Sequence, residues 1–115
     1  MNPHYEVIDD RFRDLIKGNA ALIKIADGCL WTEGPVYFRD SQMLLWSDIP
    51  NNRIMRWIYG VGVSVYCADS NFANGNTRDR EGRLVSCEHG GRRVTWTGLD
   101  GYYHRDCRQL PRQVP

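Results

Sequence analysis

The segment WTEGPVYFRDSQMLLWSDIP, residues 31–50, decides the fold of this chain. It contains two short apolar runs, residues 36–38 and 43–46, separated by a polar turn at residues 39–42, and this pattern predicts a β-hairpin. An acidic residue, Glu33, stands before Gly34-Pro35 at the mouth of the first run. A carboxylate fixed at that position is where a cation or a polar substrate can sit.

The size and composition of the chain limit its class. Its 115 residues correspond to one domain at most, and 42% hydrophobic with 25% charged residues is typical of a globular protein. The formal net charge of +1 creates no strong field toward nucleic acid or anionic lipid. No apolar run approaches the roughly 20 residues of a membrane helix, and residues 1–6 lack signal-peptide features. These observations predict a cytoplasmic protein with no nucleic-acid or membrane partner.

The four cysteines stand at Cys29, Cys67, Cys87 and Cys107. None belongs to a Cys-x-x-Cys pair or has a histidine at zinc-finger spacing. We expect reduced thiols, with Cys67 and Cys87 filling the core, because both lie in strand-like runs.

The secondary-structure signals change from helix to strand early in the chain. Residues 9–16 predict a short helix capped by Asp9 or Asp10, with an apolar face. After the stop at Gly18-Asn19, residues 21–26 are strand-like. Residues 36–38, 43–46, 53–58 and 63–66 then predict four strands joined by tight turns, which form one antiparallel meander.

The meander then repeats. Residues 74–79, 84–88 and 93–97 predict three more strands, and aligning Gly34 with Gly75 places Ile54 near Val94. The period is about 40 residues, the length of one four-stranded propeller blade. We therefore predict an all-β fold in which residues 1–101 form about two blades of a β-propeller, a fold that has about four to eight blades in total.

The tail, residues 102–115, departs from this pattern. It stands where the fourth strand of the second blade is expected, but it shows little alternation and is rich in arginine. One interpretation is an irregular, solvated tail. The other is a frameshift product beginning after about Gly101, because codons can be chosen for residues 102–114 that encode a strand and a turn one base over. Sequencing the locus tests the second interpretation.

Several motifs in fixed order resemble one known family. They are Trp31-Thr32-Glu33-Gly34-Pro35, Trp46-Ser47-Asp48-Ile49-Pro50, Arg53-Ile54, residues 74–84 beginning Asn74-Gly75-Asn76, and Cys87-Glu88-His89. Over residues 5–101 the chain resembles the N-terminal part of the gluconolactonase, regucalcin (senescence marker protein) and luciferin-regenerating-enzyme family. The resemblance implies part of a six-bladed propeller that hydrolyses sugar lactones with a divalent cation, Ca²⁺, Zn²⁺ or Mn²⁺, in the central channel.

The resemblance also implies site residues. Glu33 matches a glutamate metal ligand and Asn74 an asparagine of the substrate pocket, while Glu88 and His89 match a Glu-His pair near the channel mouth. The family's remaining ligands, an asparagine in a Ser-Pro-Asn-Asp motif and a later aspartate that serves as general base, have no match here. We therefore expect an incomplete site with negligible cation affinity in this chain.

Structural alternatives remain open for these residues. Glu33 can cap a strand or pair with Arg53 or Arg83, Asn74-Gly75 can form a plain turn, and His89 can sit in a hairpin turn. For the chain as a whole, the alternatives to a lactonase are a non-catalytic propeller-repeat binding module and an inactive fragment.

Overall fold

The computed structural model of the chain describes residues 4–98 and the backbone of residues 103–104. These residues form two four-stranded antiparallel sheets, each with its strands in sequence order. The first sheet contains β1 Thr32–Phe38, β2 Met43–Asp48, β3 Arg53–Ile58 and β4 Gly62–Cys67. The second contains β5 Ala73–Arg78, β6 Leu84–Glu88, β7 Arg93–Thr97 and β8 Tyr103–His104. The predicted all-β fold with two propeller blades is confirmed. No helix in the described part of the chain is long and apolar enough to cross a membrane.

The predicted N-terminal helix is present as a 3-10 helix over Asp10–Leu15. Asp9 caps it, because its carboxylate accepts a hydrogen bond from the backbone N–H of Arg11 at 2.9 Å. None of the helical residues is buried. The Asp9 cap therefore closes the first turn of a helix that buries none of its residues.

The prediction of a strand over residues 21–26 is wrong. The backbone there belongs to no strand, and the side chains of Leu22 and Ile23 are largely exposed. A strand needs a partner edge for its backbone hydrogen bonds, and both described sheets take their strands from further along the chain. Residues 24–29 instead lie over one face of the first sheet, where they line a cleft with Leu44 and Trp46.

Both faces of the first sheet are apolar. One face, here called the front face, contributes Phe38, Leu45 and Ile54 to a core completed by Ala73 and Leu84 of the second sheet. The opposite, rear face carries two apolar rows that the strand registers align, Tyr37-Leu44-Trp57-Val63 and Trp46-Met55-Val65. A sheet that is apolar on both faces is suited to packing between two others, as a propeller blade does.

Equivalent positions in the two sheets confirm the repeat of about 40 residues. Asp48 at the end of β2 pairs in register with Arg53 of β3, and Glu88 pairs in the same way with Arg93. Asn52 and Arg92, the residues just before these arginines, both have a left-handed backbone conformation, with φ of 53° and 52°. The second sheet is thus a structural copy of the first, and its rear face packs on the front face of the first.

The predicted burial of the cysteines holds for one of the two strand residues. Cys67 is half-buried and packs against the core, but Cys87 is exposed. The prediction for Cys87 is wrong because its side chain lies on the front face of the second sheet, and the core forms on the opposite face.

The fourth strand of the second sheet falls at the beginning of the predicted tail. Tyr103 and His104 pair with Thr97 and Trp96 of β7, so this strand is two residues long. The equivalent strand of the first sheet, β4, has six residues. Residue 102 and residues 105–115 of the predicted tail lie outside the described residues.

Candidate functional site

Glu33 stands at a β-bulge near the start of β1. Gly34 and Pro35 together oppose the single residue Trp46 of β2. Gly34 has a φ of 62°, which a residue without a Cβ adopts most readily, and Pro35 has no N–H to leave unpaired in the ladder. The Glu-Gly-Pro sequence therefore makes the bulge, and the Glu33 side chain is exposed beside it.

Asn74 occupies the corresponding bulge of β5. The register shifts between Ala73 and Gly75, so Asn74 is the extra residue. Its Oδ1 accepts a hydrogen bond from the backbone N–H of Gly75 at 2.6 Å. Asn74-Gly75 is therefore part of a strand, and the alternative of a hairpin turn is wrong.

A close approach of β1 to β5 brings these two bulges together. A Cβ on Gly34 would clash with the carbonyl oxygen of Asn74 and lie 2.8 Å from Asn76 Nδ2. Asn76 Nδ2 donates to the carbonyl oxygen of Gly34 at 3.1 Å and to Ser47 Oγ at 2.8 Å, while its Oδ1 accepts from Ser86 Oγ at 2.7 Å. Asn76 thus ties the two sheets together directly beside Glu33 and Asn74.

A buried acid supports the entrance to β1. The Asp48 side chain is fully buried and accepts hydrogen bonds from Leu30 N–H at 3.0 Å, Asn51 Nδ2 at 2.8 Å and Arg53 Nε at 3.0 Å. Burial alone would raise the pKa of Asp48, but the donors from Asn51, Leu30 and Arg53 outweigh it and hold the pKa below its ordinary value. Asp48 is therefore ionised at neutral pH and holds the chain that leads into Glu33.

Glu88 occupies the position of Asp48 in the second sheet and is almost completely buried. Its Oε1 accepts from Arg93 Nε at 3.0 Å and from Asn71 Nδ2 at 3.0 Å. Gly91 stands where the first sheet has Asn51, and a Cβ there would lie 2.7 Å from Glu88 Oε1. Glu88 has a longer side chain than Asp48, and it thus fills the space that the Asn51 side chain occupies in the first sheet. Its Oε2 is buried without a hydrogen-bond partner among the described residues.

His89 follows Glu88 in the turn after β6 and is exposed. Its backbone N–H donates to the carbonyl oxygen of Phe72 at 3.3 Å. Because Glu88 pairs with Ala73 in the ladder, His89 lies at the same end of the second sheet as Asn74. The structure thus places three of the predicted residues, Glu33, Asn74 and His89, at strand ends, and places Glu88 in the interior beneath the turn.

A cleft of about 430 Å³ opens beside Glu33. Its walls are residues 24–29 on one side and Thr32, Glu33, Pro35, Leu44 and Trp46 on the other. Asn74, Glu88 and His89 do not line it. The cleft therefore lies on the rear face of the first sheet, away from the contact between β1 and β5.

The described residues do not by themselves fit a divalent cation. Ca²⁺ binds about six to eight oxygen ligands, and Glu33 offers at most two. Across residues 4–98, no group of three or more His, Cys, Asp or Glu side chains is placed to share an ion. Asp48 and Glu88 are paired with Arg53 and Arg93. We therefore derive no catalytic step that passes through a metal.

Comparison with known proteins decides the family. The profile of the SMP-30/Gluconolactonase/LRE-like region matches residues 31–110, which is most of the chain. The chain belongs to this family. The matched range begins at the Trp31 motif, so the SMP-30/Gluconolactonase/LRE-like region includes β1 with its bulge and both sheets.

Individual relatives within the family agree with this assignment. A gluconolactonase from Zymomonas mobilis is 39% identical over 49 residues, which are 43% of this chain and 14% of the relative. The solved structure of a gluconolactonase from Xanthomonas campestris is 37% identical with a TM-score of 0.66, over 70% of this chain and 27% of that protein. A calcium-binding regucalcin from Agrobacterium tumefaciens, at 19% identity and a TM-score of 0.58, shares the fold. The chain thus spans about a quarter of the length of the Xanthomonas gluconolactonase.

Two residues that hold the bulges in place are not identified by the sequence pattern. The first is Asn76, which the sequence predicts only as part of a strand; the alignment of Gly34 with Gly75 makes it the equivalent of Pro35 at the first bulge. The second is Asp48, to which the sequence motif alone gives no role. The signal that could have revealed it is the acid–Arg spacing, because Asp48 and Arg53 are separated like Glu88 and Arg93.

Proposed function

We propose that this chain supplies part of the active site of a lactone hydrolase of the gluconolactonase type. In this proposal Glu33 is one ligand of a divalent cation, and Asn74 and His89 form part of the wall that holds a sugar lactone. The observation that carries the proposal is the contact of the two bulges, which brings Glu33 on β1 next to Asn74 on β5. The family assignment supports the choice of a lactone as substrate.

The side chains suit these roles chemically. The Oδ1 of Asn74 accepts the N–H of Gly75 through one of its two lone pairs, and the same amide carries an NH₂ group. That group can donate to the hydroxyl or carbonyl oxygens of a sugar lactone. The exposed carboxylate of Glu33 is a hard oxygen ligand, of the kind that Ca²⁺ and Mn²⁺ prefer. In this proposal Glu88 acts indirectly, by holding the turn that carries His89.

The same observations favour a second candidate, an inactive chain. Glu33 supplies one carboxylate, and among the described residues no group of three or more His, Cys, Asp or Glu side chains could share an ion. A cation held by one exposed carboxylate exchanges with water and is held weakly. The further ligands of a working site therefore have to come from residues beyond those described here.

Calorimetry on the purified 115-residue chain tests these proposals. We expect titration of Ca²⁺, Mn²⁺ or Zn²⁺ to give no saturable heat, and a pH-stat assay with gluconolactone to give no hydrolysis above buffer. Glu81→Ala is the matched control for Glu33→Ala, because Glu81 is also an exposed glutamate. Micromolar cation binding that Glu33→Ala abolishes and Glu81→Ala preserves would show that the chain alone forms the cation site.

A further inference from the structure

Asn74 and Gly75 form the sole Asn-Gly pair in the sequence. In such a pair the backbone nitrogen of the glycine can attack Cγ of the asparagine, because glycine has no side chain to hinder the approach. Asparagine is accordingly one of the residues that heat and time alter chemically. The pair lies at the bulge of β5, where the proposed function places part of the substrate pocket, so its chemistry bears directly on that site.

The structure holds the two reacting groups close together. The backbone N–H of Gly75 donates to Asn74 Oδ1 at 2.6 Å. Because the bond from Oδ1 to Cγ is about 1.2 Å long, the Gly75 nitrogen lies at most about 3.8 Å from Cγ. A rotation within these two residues is therefore enough to bring the nitrogen into contact with the carbon.

The bulge leaves Asn74 outside the regular sheet ladder. Ala73 pairs with Glu88 and Gly75 pairs with Cys87, so Asn74 is the extra residue between them. Attack by the glycine nitrogen closes an imide ring that fixes the backbone torsion of the asparagine. A residue paired within a ladder resists that change because its backbone hydrogen bonds hold the torsion. Asn74 has no directly opposite residue, so the ring can close while the rest of β5 stays paired.

The NH₂ group of Asn74, which leaves in this reaction, is not held by the protein. Among residues 4–98, no acceptor is found for Asn74 Nδ2, and the atom is in contact with solvent. By contrast, Asn51 and Asn71 each donate their Nδ2 to a buried carboxylate. The leaving group of Asn74 can therefore depart into water without breaking a hydrogen bond to the protein.

We propose that Asn74 is a site of spontaneous deamidation. The Gly75 nitrogen loses its proton to solvent and bonds to Asn74 Cγ, and the Cγ–Nδ2 bond breaks, which releases ammonia and leaves a five-membered imide. Water then opens the imide. Addition of water at Cγ gives aspartate, and addition at the main-chain carbonyl carbon gives isoaspartate. The net reaction consumes one water and releases one ammonia.

The effect of this modification on the site rests on the proposed function. A carboxylate accepts hydrogen bonds but does not donate them, so the donor assigned to the oxygens of the lactone is lost. The product also brings a negative charge to the bulge contact beside Glu33 and lowers the formal net charge of the chain by one, from +1. Isoaspartate in addition lengthens the main chain by one carbon. Deamidation is thus a slow, irreversible change of the pocket.

Peptide mass spectrometry on the folded chain tests the proposal. The purified chain is incubated at neutral and at alkaline pH in water labelled with heavy oxygen, and fragment ions separate residue 74 from Asn71 and Asn76. We expect residue 74 to lose ammonia and gain the labelled oxygen faster than any other asparagine, and faster at alkaline pH because the attacking nitrogen must lose a proton. An acidic species that grows at the same rate is expected in ion-exchange chromatography.

Gly75→Ala is the matched control variant. A Cβ at residue 75 would lie 3.8 Å from Cβ and Sγ of Cys87, which is an ordinary contact, so the variant is expected to fold. Its methyl group hinders the attack, and conversion of Asn74 is expected to fall to the rate of the other asparagines. Asn74→Gln is the second variant, and it is expected to show no conversion because its longer side chain would need a six-membered imide. Thermal melts followed by circular dichroism establish that each variant is folded.

Two results would overturn the proposal. One is a folded chain in which Asn74 converts no faster than the other asparagines, or converts only after unfolding in urea. The other is equal conversion of Asn74 in the unaltered chain and in folded Gly75→Ala. Neither result bears on the lactonase proposal, because the conversion requires neither cation nor lactone. For the same reason, an absence of lactone hydrolysis leaves the deamidation of Asn74 standing.

Discussion

The buried carboxylate of Asp48 determines how the chain enters β1. It accepts the backbone N–H of Leu30, and the neighbouring Ile49 N–H donates to the carbonyl oxygen of Trp31 at 3.2 Å. These two hydrogen bonds hold the chain on the approach to Glu33. A residue that touches no ligand therefore positions the carboxylate that we propose as a cation ligand.

Asp48→Ala is expected to destabilise the chain strongly. It leaves Leu30 N–H, Asn51 and the half-buried Arg53 without their acceptor, and breaking such a buried pair costs about 3–5 kcal/mol. Asp40→Ala is the matched control, since Asp40 pairs with Arg78 at an exposed site and surface pairs contribute about 0–1 kcal/mol. Urea denaturation at pH 7 measures both. Equal losses for the two variants would contradict the account of Asp48.

The stability difference between the unaltered chain and Asp48→Ala is expected to depend on pH. The pKa of Asp48 is lower in the folded chain than its ordinary value, so its stabilising contribution is complete above about pH 4 and is lost as the pH falls through the folded pKa. The free energies of unfolding of the unaltered chain and Asp48→Ala should therefore converge below about pH 4. Asp79 and Asp9 contribute to the acid sensitivity that remains in Asp48→Ala, because the pKa values of both are lowered in the folded chain. The pKa of Asp79 is also lowered, first by the hydrogen bond from Arg83 N–H.

At the scale of the strands, the contact between β1 and β5 decides where the site residues lie. Gly34 makes that contact close, because its missing side chain leaves room for the carbonyl oxygen of Asn74 and for Asn76. The two bulges therefore meet, and Glu33 and Asn74 come from neighbouring strands of different sheets. The geometry of the site thus depends on one glycine.

Gly34→Ala is expected to loosen this contact. The added Cβ meets backbone of β5 and the left-handed φ of 62° is unfavourable, so we expect a loss of about 2–5 kcal/mol. Gly28→Ala is the control, because Gly28 is also left-handed but a Cβ there meets nothing within 4 Å; its expected cost is about 1–2 kcal/mol. Thermal or urea unfolding measures both. A Gly34→Ala variant no less stable than Gly28→Ala would contradict the close approach.

The strands themselves were largely predictable from the sequence, because alternation and turn residues are local signals. The strand over residues 53–58 was predicted with its observed bounds, as were those over 84–88 and 93–97. Residues 21–26 have the same local pattern but no partner edge, so the prediction failed there. The two bulges and the hydrogen bonds by which Asn76 joins the two sheets could not be predicted, because they depend on which strands become neighbours.

At the scale of the whole molecule, the order of the motifs predicted the family and the repeat predicted the two sheets. The sequence could not show that Glu88 is buried under its turn or that Cys87 faces outward, since both depend on which face of the second sheet packs. The chain spans 27% of the Xanthomonas gluconolactonase. The proposed activity is therefore best tested by supplying the remaining blades.

The most direct measurement is the lactonase activity of a chimera. Residues 31–98 would replace the matching segment of the Xanthomonas gluconolactonase, and hydrolysis of gluconolactone would be followed with and without added cation, in the chimera and in its Glu33→Gln and Glu81→Gln variants. We predict cation-dependent hydrolysis that Glu33→Gln removes, while the melting temperature is kept and Glu81→Gln remains active. Undiminished hydrolysis in a folded Glu33→Gln chimera would contradict the role assigned to Glu33.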